Sequence, residues 1–219
     1  MTHYISPPDL SGSRSQVPVP ATGASACKSR LALLVATALI LAACGGTPYR
    51  PQIESMAPVQ ARAESQTKGA VKVRVAVPSP EETEAIFGLP LYDRGVQPVW
   101  IEVQNGGATD LRYAPVGTDP DYVPPFEVAY THKSGFSRMA RQEMQKYLHS
   151  NSMPRSIDAG EMDSGFVFTQ ARPGTKGVNI DLFGPEADDS YSFVFFIPVS
   201  GFVADHAQVA VQQAVAVLQ

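Results

Sequence analysis

Val71, Val73, Val75 and Val77 alternate with Lys72, Arg74 and Ala76, the most regular stretch in the chain. A period of two sends successive side chains to opposite faces of a strand, so this run predicts a strand with one dry and one wet face. Pro78 and Pro80 end it, and the acidic-then-apolar order of 81–88 (EETEAIFG) predicts a short helix or turn over a sheet edge. The same alternation returns in 96–105 (VQPVWIEVQN), where Val99, Ile101 and Val103 share one face and Trp100, Glu102 and Gln104 the other. Pro98 suggests that the start of this strand is at an edge or only partly paired.

The remaining strands are placed by their turns. Asn105-Gly106-Gly107 tolerate positive φ, and with a short strand at 110–114 they predict a hairpin. A second hairpin is expected between 165–170 (GFVFTQ) and 177–183 (GVNIDLF) through RPGTK, and 190–199 (SYSFVFFIPV) is apolar enough for a central strand. In 118–130 (TDPDYVPPFEVAY) three prolines predict a rigid loop, after which Phe126, Val128 and Tyr130 resume an alternating face. Residues 204–219 fit both periods: Ala207, Val211, Ala214 and Leu218 follow a helix, Val209, Val211, Val215 and Val217 a strand.

One clear helical pattern interrupts the strands. Over 136–149, Ser137 can cap, Phe136, Met139, Met144, Tyr147 and Leu148 recur at spacings near three and four, and Arg138, Arg141, Gln142, Gln145 and Lys146 cover the other side. The expected fold is therefore mainly β, an antiparallel β-sandwich of immunoglobulin-like or related type with one helix inserted around 136–149. Regular βαβ alternation is absent, which argues against a doubly wound sheet.

The N-terminal region carries a different signal. Residues 31–44 (LALLVATALILAAC) form an uncharged apolar run preceded by Lys28 and Arg30 and ending in small residues and a cysteine, the pattern of an export signal. The run is shorter than the roughly 20 apolar residues a membrane-spanning helix needs. Leu41-Ala42-Ala43-Cys44 resembles the lipobox of bacterial lipoproteins, and that resemblance implies cleavage before Cys44 and acylation of its thiol. Acyl chains bury about 0.8 kcal/mol per methylene, so several of them hold a protein at a bilayer. Gly45 stands where an aspartate resembles an inner-membrane retention signal, which favours the periplasmic side of a cell outer membrane over the outer face of an inner or plasma membrane.

These features divide the chain into a signal peptide over 1–43 with a long N-terminal extension, a lipidated cysteine and flexible tether over 44–69, and a β-sandwich over 70–219. Of 17 basic and 21 acidic side chains, cleavage removes Arg14, Lys28, Arg30 and Asp9, leaving 14 and 20, a net charge of −6. Such a balance argues against nucleic acid, and against anionic lipid, as an electrostatically bound partner. Cys27 and Cys44 are the only cysteines, so the cleaved domain has neither disulfide nor thiolate nucleophile.

The run from Gly95-Val96-Gln97-Pro98-Val99-Trp100 through Asp119-Pro120-Asp121-Tyr122 to Pro125-Phe126-Glu127-Val128-Ala129-Tyr130 resembles the uncharacterised C-terminal β domain of LssY-type membrane phosphatase-like proteins. The resemblance spans about 71–201 and brings no catalytic residues with it. Asp119, Asp121 and Glu127 could supply oxygen ligands to calcium, yet they lack the spacing of an EF-hand loop, and turn capping explains them equally. His132, His149 and His206 have no second histidine at metal-ligand spacing, Ser134 lacks a nucleophile elbow, and neither a Walker nor a dinucleotide loop occurs. No metal or cofactor is therefore expected. Trp100, Tyr122, Phe126 and Tyr130 are the candidate binding surface, unless the 136–149 helix covers Trp100. The sequence thus leads to a non-catalytic envelope lipoprotein, attached to lipid through Cys44, that binds an envelope protein or supports envelope assembly. The alternative is a lipid-handling or hydrolytic accessory module at the membrane surface.

Overall fold

A computed structural model describes residues 47–52, 56–186 and 190–202. The expected signal peptide over 1–43, Cys44, Asp188-Asp189, His206 and the ambiguous 204–219 stretch lie outside the described residues. Among the described residues eight strands form two four-stranded antiparallel sheets: β1 (Glu64–Lys68), β2 (Val71–Ala76), β3 (Val96–Asn105) and β6 (Met162–Gln170) in that order, and β5 (Ser156–Ile157), β4 (Leu111–Tyr113), β7 (Thr175–Phe183) and β8 (Ser190–Pro198) in the other. The architecture is an antiparallel β-sandwich.

Burial explains why the alternation was so regular. Val71, Val73, Val75, Val99, Ile101, Val103 and Val167 from the first sheet meet Leu111, Tyr113, Val178, Ile180, Leu182, Phe193, Phe195 and Ile197 from the second in one core. The other face of the first sheet is dry as well. Trp100, Phe166 and Phe168 lie there against Val59, Ile86, Phe87, Val128, Ala140, Met144 and Leu148, which come from a layer of helices. These are α1 (Ala57–Ala61), α2 (Pro80–Phe87), α4 (Pro125–Thr131) and α5 (Arg138–Ser150), with α3 (Pro115–Thr118) beside the second sheet.

Local chemistry sets the helix ends. At α2, Ser79 Oγ accepts the Glu82 N–H at 3.2 Å while Glu82 Oε2 accepts the Ser79 N–H at 2.8 Å, a reciprocal capping box with Pro80 in the first turn. Gly88 closes this helix at φ 62°, and a Cβ there would also stand 2.7 Å from the Arg50 carbonyl oxygen. Ser137 caps α5 by accepting the Ala140 N–H at 3.2 Å.

Five expectations differ from the structure. The 44–69 tether and its boundary at 70 give way to folded chain from Thr47: Tyr49, Met56 and Val59 are buried, and β1 pairs with β2 from Glu64↔Val75 to Lys68↔Val71. Nothing in ESQTK advertises burial, because β1 is an exposed edge strand held by its backbone. The Asn105-Gly106-Gly107 hairpin is a crossover between sheets, since β4 pairs with β5 and β7 rather than with β3. Asn105 pins it by donating to the carbonyl oxygens of Thr109, Ile157 and Asp158.

The RPGTK connection crosses between sheets too, taking the chain from β6, which pairs with β3, to β7, which pairs with β8. β8 is an edge and not a central strand. It is apolar on both faces, yet Val194 and Phe196 face outward, and Gln66 Nε2 and Lys68 Nζ of β1 donate to the carbonyl oxygens of Val194 and Ser192 along its free side. Finally, the alternating face of Phe126, Val128 and Tyr130 belongs to helix α4. Pro124-Pro125 suit a helix start, and Val128 and Ala129 turn inward while Phe126 and Tyr130, four apart, turn out.

Candidate functional site

The site is assembled around a buried ion pair. Lys176 enters the sheet core from β7, 1% exposed, and donates Nζ to Asp119 Oδ2 at 2.5 Å and to the Gln170 carbonyl oxygen at 3.0 Å. Asp119 Oδ1 accepts the Asp121 N–H at 2.8 Å, which folds the turn leading to Tyr122. Burial pushes the Asp119 carboxyl up, but the Lys176 ammonium and the Asp121 amide outweigh it and hold the group below the ordinary carboxylate range. Beyond this turn Tyr122 bridges to Thr169, and the Val123 N–H donates to the Phe168 carbonyl oxygen at 2.8 Å.

Anchored this way, Tyr122, Pro124, Pro125 and Phe126 form one wall of a cleft of about 530 Å³. The opposite wall is the C-terminal end of α5 and the following turn, with His149, Ser152, Met153 and Arg155. That turn is locked to the first sheet, where the Met153 N–H donates to the Phe166 carbonyl oxygen at 3.0 Å and the Phe166 N–H to that of Asn151 at 2.8 Å. The approach is so close that a Cβ on Gly165 would lie 2.5 Å from the Met153 nitrogen. Ser152 Oγ is already engaged, donating to the Leu148 carbonyl oxygen at 2.7 Å. The cleft therefore offers aromatic and proline surfaces with a cationic and imidazole rim, suited to an extended or proline-bearing segment.

The sequence-derived candidates separate in space. Tyr122 and Phe126 line the cleft, whereas Tyr130 stands on the neighbouring outer face of α4, 58% exposed. Trp100 is 2% exposed beneath the helices, with the Arg74 guanidinium 5.5 Å from its ring centroid, and takes no part in that surface. Of the carboxylates, Asp119 is committed to Lys176, Asp121 pairs with Arg172 at 2.6 Å, and Glu127 is exposed on α4. Among the described residues no three His, Asp or Glu side chains are placed to share an ion.

His132 is buried away from the cleft. Its Nδ1–H donates to the Val128 carbonyl oxygen at 2.8 Å, which sets the tautomer and leaves Nε2 without a partner. Burial holds its imidazole below the ordinary histidine value, and the Arg94 charge works in the same direction. Met153 and Arg155, absent from the sequence-derived set, join the cleft only because three distant segments meet there.

Fold and site together define a small antiparallel β-sandwich with a helical layer on one sheet and an aromatic, proline-walled cleft beside the end of its 13-residue helix. No family model and no curated protein matches the chain.

Proposed function

We propose that this protein is a lipid-anchored envelope protein, attached through acylated Cys44 and facing the periplasm from the outer membrane, that binds a partner protein without catalysis. The observation that supports partner binding is the Tyr122–Phe126 cleft. Its aromatic and proline walls are held rigid by the Lys176–Asp119 pair and by the Phe166 backbone, and rigid aromatic surface is what partner recognition uses. Three polar groups near it are spent on structure: Ser152 on Leu148, Asp119 on Lys176 and Asp121 on Arg172. His149 on the rim has none of them as a relay.

The lipid attachment rests on the LAAC sequence at 41–44; among the described residues no helix is long and apolar enough to cross a membrane. Cys44→Ser tests attachment: the variant is expected in the soluble fraction, and continued acyl labelling would sink it. For the cleft, a photocrosslinking residue at 126 in intact envelopes is expected to yield one discrete adduct, lost on Tyr122→Ala, with none from position 194. Adducts of equal yield from both positions would remove the cleft from consideration.

A further inference from the structure

We propose that the loop and helix ends around Gly135 form a docking surface for anionic phospholipid headgroups, a reading that rests on acylation of Cys44. The chain enters the fold at Thr47, whose N–H donates to the Gly135 carbonyl oxygen at 3.0 Å and which bridges to Phe136. Tyr49 then packs edge-on against Phe136 and Tyr147, with ring centroids 6.2 and 5.9 Å away. Only three peptide steps separate Thr47 from Cys44, a reach of at most about 11 Å. A domain of this length has a radius of gyration of about 15 Å. The leash is shorter than that, so a domain held by an acylated Cys44 must turn the surface around Gly135 toward the bilayer.

That surface has the chemistry of an interfacial contact. From residue 127 to 143 the chain carries Lys133, Arg138 and Arg141 between the flanking carboxylates Glu127 and Glu143, a local excess of positive charge in a domain that is otherwise acidic. Among the described residues no carboxylate pairs with any of the three. Lys133 instead lies 3.3 Å from the Tyr130 ring centroid, Arg141 Nε donates to the Phe136 carbonyl oxygen, and Arg138 is exposed. Between these cations stand two large apolar side chains in solvent, Tyr130 at 58% and Met139 at 70% exposure. Cations interleaved with an aromatic ring and a flexible apolar chain suit the headgroup region, where each basic residue contributes about 1 kcal/mol against anionic lipid. The net negative charge of the whole domain does not oppose this, because screening limits each charge to roughly 10 Å in 0.1 M salt. Helix α5 has 13 residues and is about 20 Å long, so the His149 wall of the cleft lies at its far end, while Phe126 is one turn of α4 from Tyr130.

The test uses the processed, acylated chain in vesicles of phosphatidylcholine with or without phosphatidylglycerol. Cleaved before Cys44 and acylated there, it has no other cysteine, so Met139→Cys and Val194→Cys each accept one fluorophore. The expected result is shielding of position 139 from acrylamide, but not of 194 on the outer face of the second sheet, in vesicles that contain phosphatidylglycerol. Replacing Lys133, Arg138 and Arg141 by glutamine should lower the docked fraction ratio on the order of a hundredfold, about fivefold per cation. Equal quenching at 139 and 194 in a chain whose mass shows the acyl groups, or equal shielding without phosphatidylglycerol, overturns the docking surface and leaves the anchor standing. A chain recovered with an unmodified Cys44 overturns both.

Discussion

Lys176 and Asp119 form a buried ion pair that ties the start of β7 to the turn before Tyr122, with Nζ 2.5 Å from Oδ2 and both side chains under a tenth exposed. Removing one member leaves the other charged and dry, which costs about 3–5 kcal/mol in comparable pairs. Lys176→Met should therefore lower the free energy of unfolding in urea by that amount at neutral pH. The double variant Lys176→Met/Asp119→Leu should recover a large part of it, and a double variant as unstable as the sum of the single ones would show that the two side chains act independently.

Thr47 to Lys68 should be indispensable to stability. This stretch supplies the buried side chains of Tyr49, Met56 and Val59 and the edge strand that satisfies β2. Each buried apolar side chain contributes about 1.5–3 kcal/mol, so deleting 47–68 should abolish a cooperative thermal transition near that of the intact domain. An unchanged midpoint would restore the tether reading of this segment.

Gly165 lies directly against the Ser152–Met153 backbone, with Met153 N, Met153 Cα and the Ser152 carbonyl carbon all within 2.6 Å of where a Cβ would stand. Gly165→Ala must push the turn after α5 off the first sheet, at a cost of about 1–3 kcal/mol or more. Calorimetry should show the loss, and partner adducts formed from position 126 should fall with it because the same turn is a wall of the cleft.

Acid should weaken the fold in two windows. His132 and Asp119 both have folded pKa values below their ordinary ones, so the unfolded chain binds more protons and stability falls as pH falls. The His132 contribution is complete above its ordinary value of 6.5 and is lost as pH drops from there through its folded value. The Asp119 contribution is lost only below about 3.8. Urea unfolding should thus show lower stability at pH 5.5 than at pH 7.5, and His132→Gln should flatten that difference; an undiminished difference in the variant would assign it to other groups.

What was legible in the sequence follows the range of the forces involved. The valines of β2, the two faces of β3 and the amphipathic run that became α5 are all settled by neighbours within a few residues. They could be read directly. The candidate surface divided by the same rule: Tyr122 and Phe126 share a wall because Pro124-Pro125 stiffen the few residues between them. Trp100 left the set because helices cover it, the alternative that the 136–149 pattern had left open.

The amino-acid sequence by itself thus determined the β character, the strand faces, the main helix and the LAAC element at residues 41–44, because side-chain periodicity and short motifs are properties of adjacent residues. Only the tertiary structure decided which strands pair, that the segment from Thr47 is part of the core, and that Arg155, His149 and Tyr122 face one cleft. Glycine turns such as Asn105-Gly106-Gly107 permit a reversal or a crossover with equal ease. The choice between them was made by which apolar faces could be covered together, a property of the whole chain.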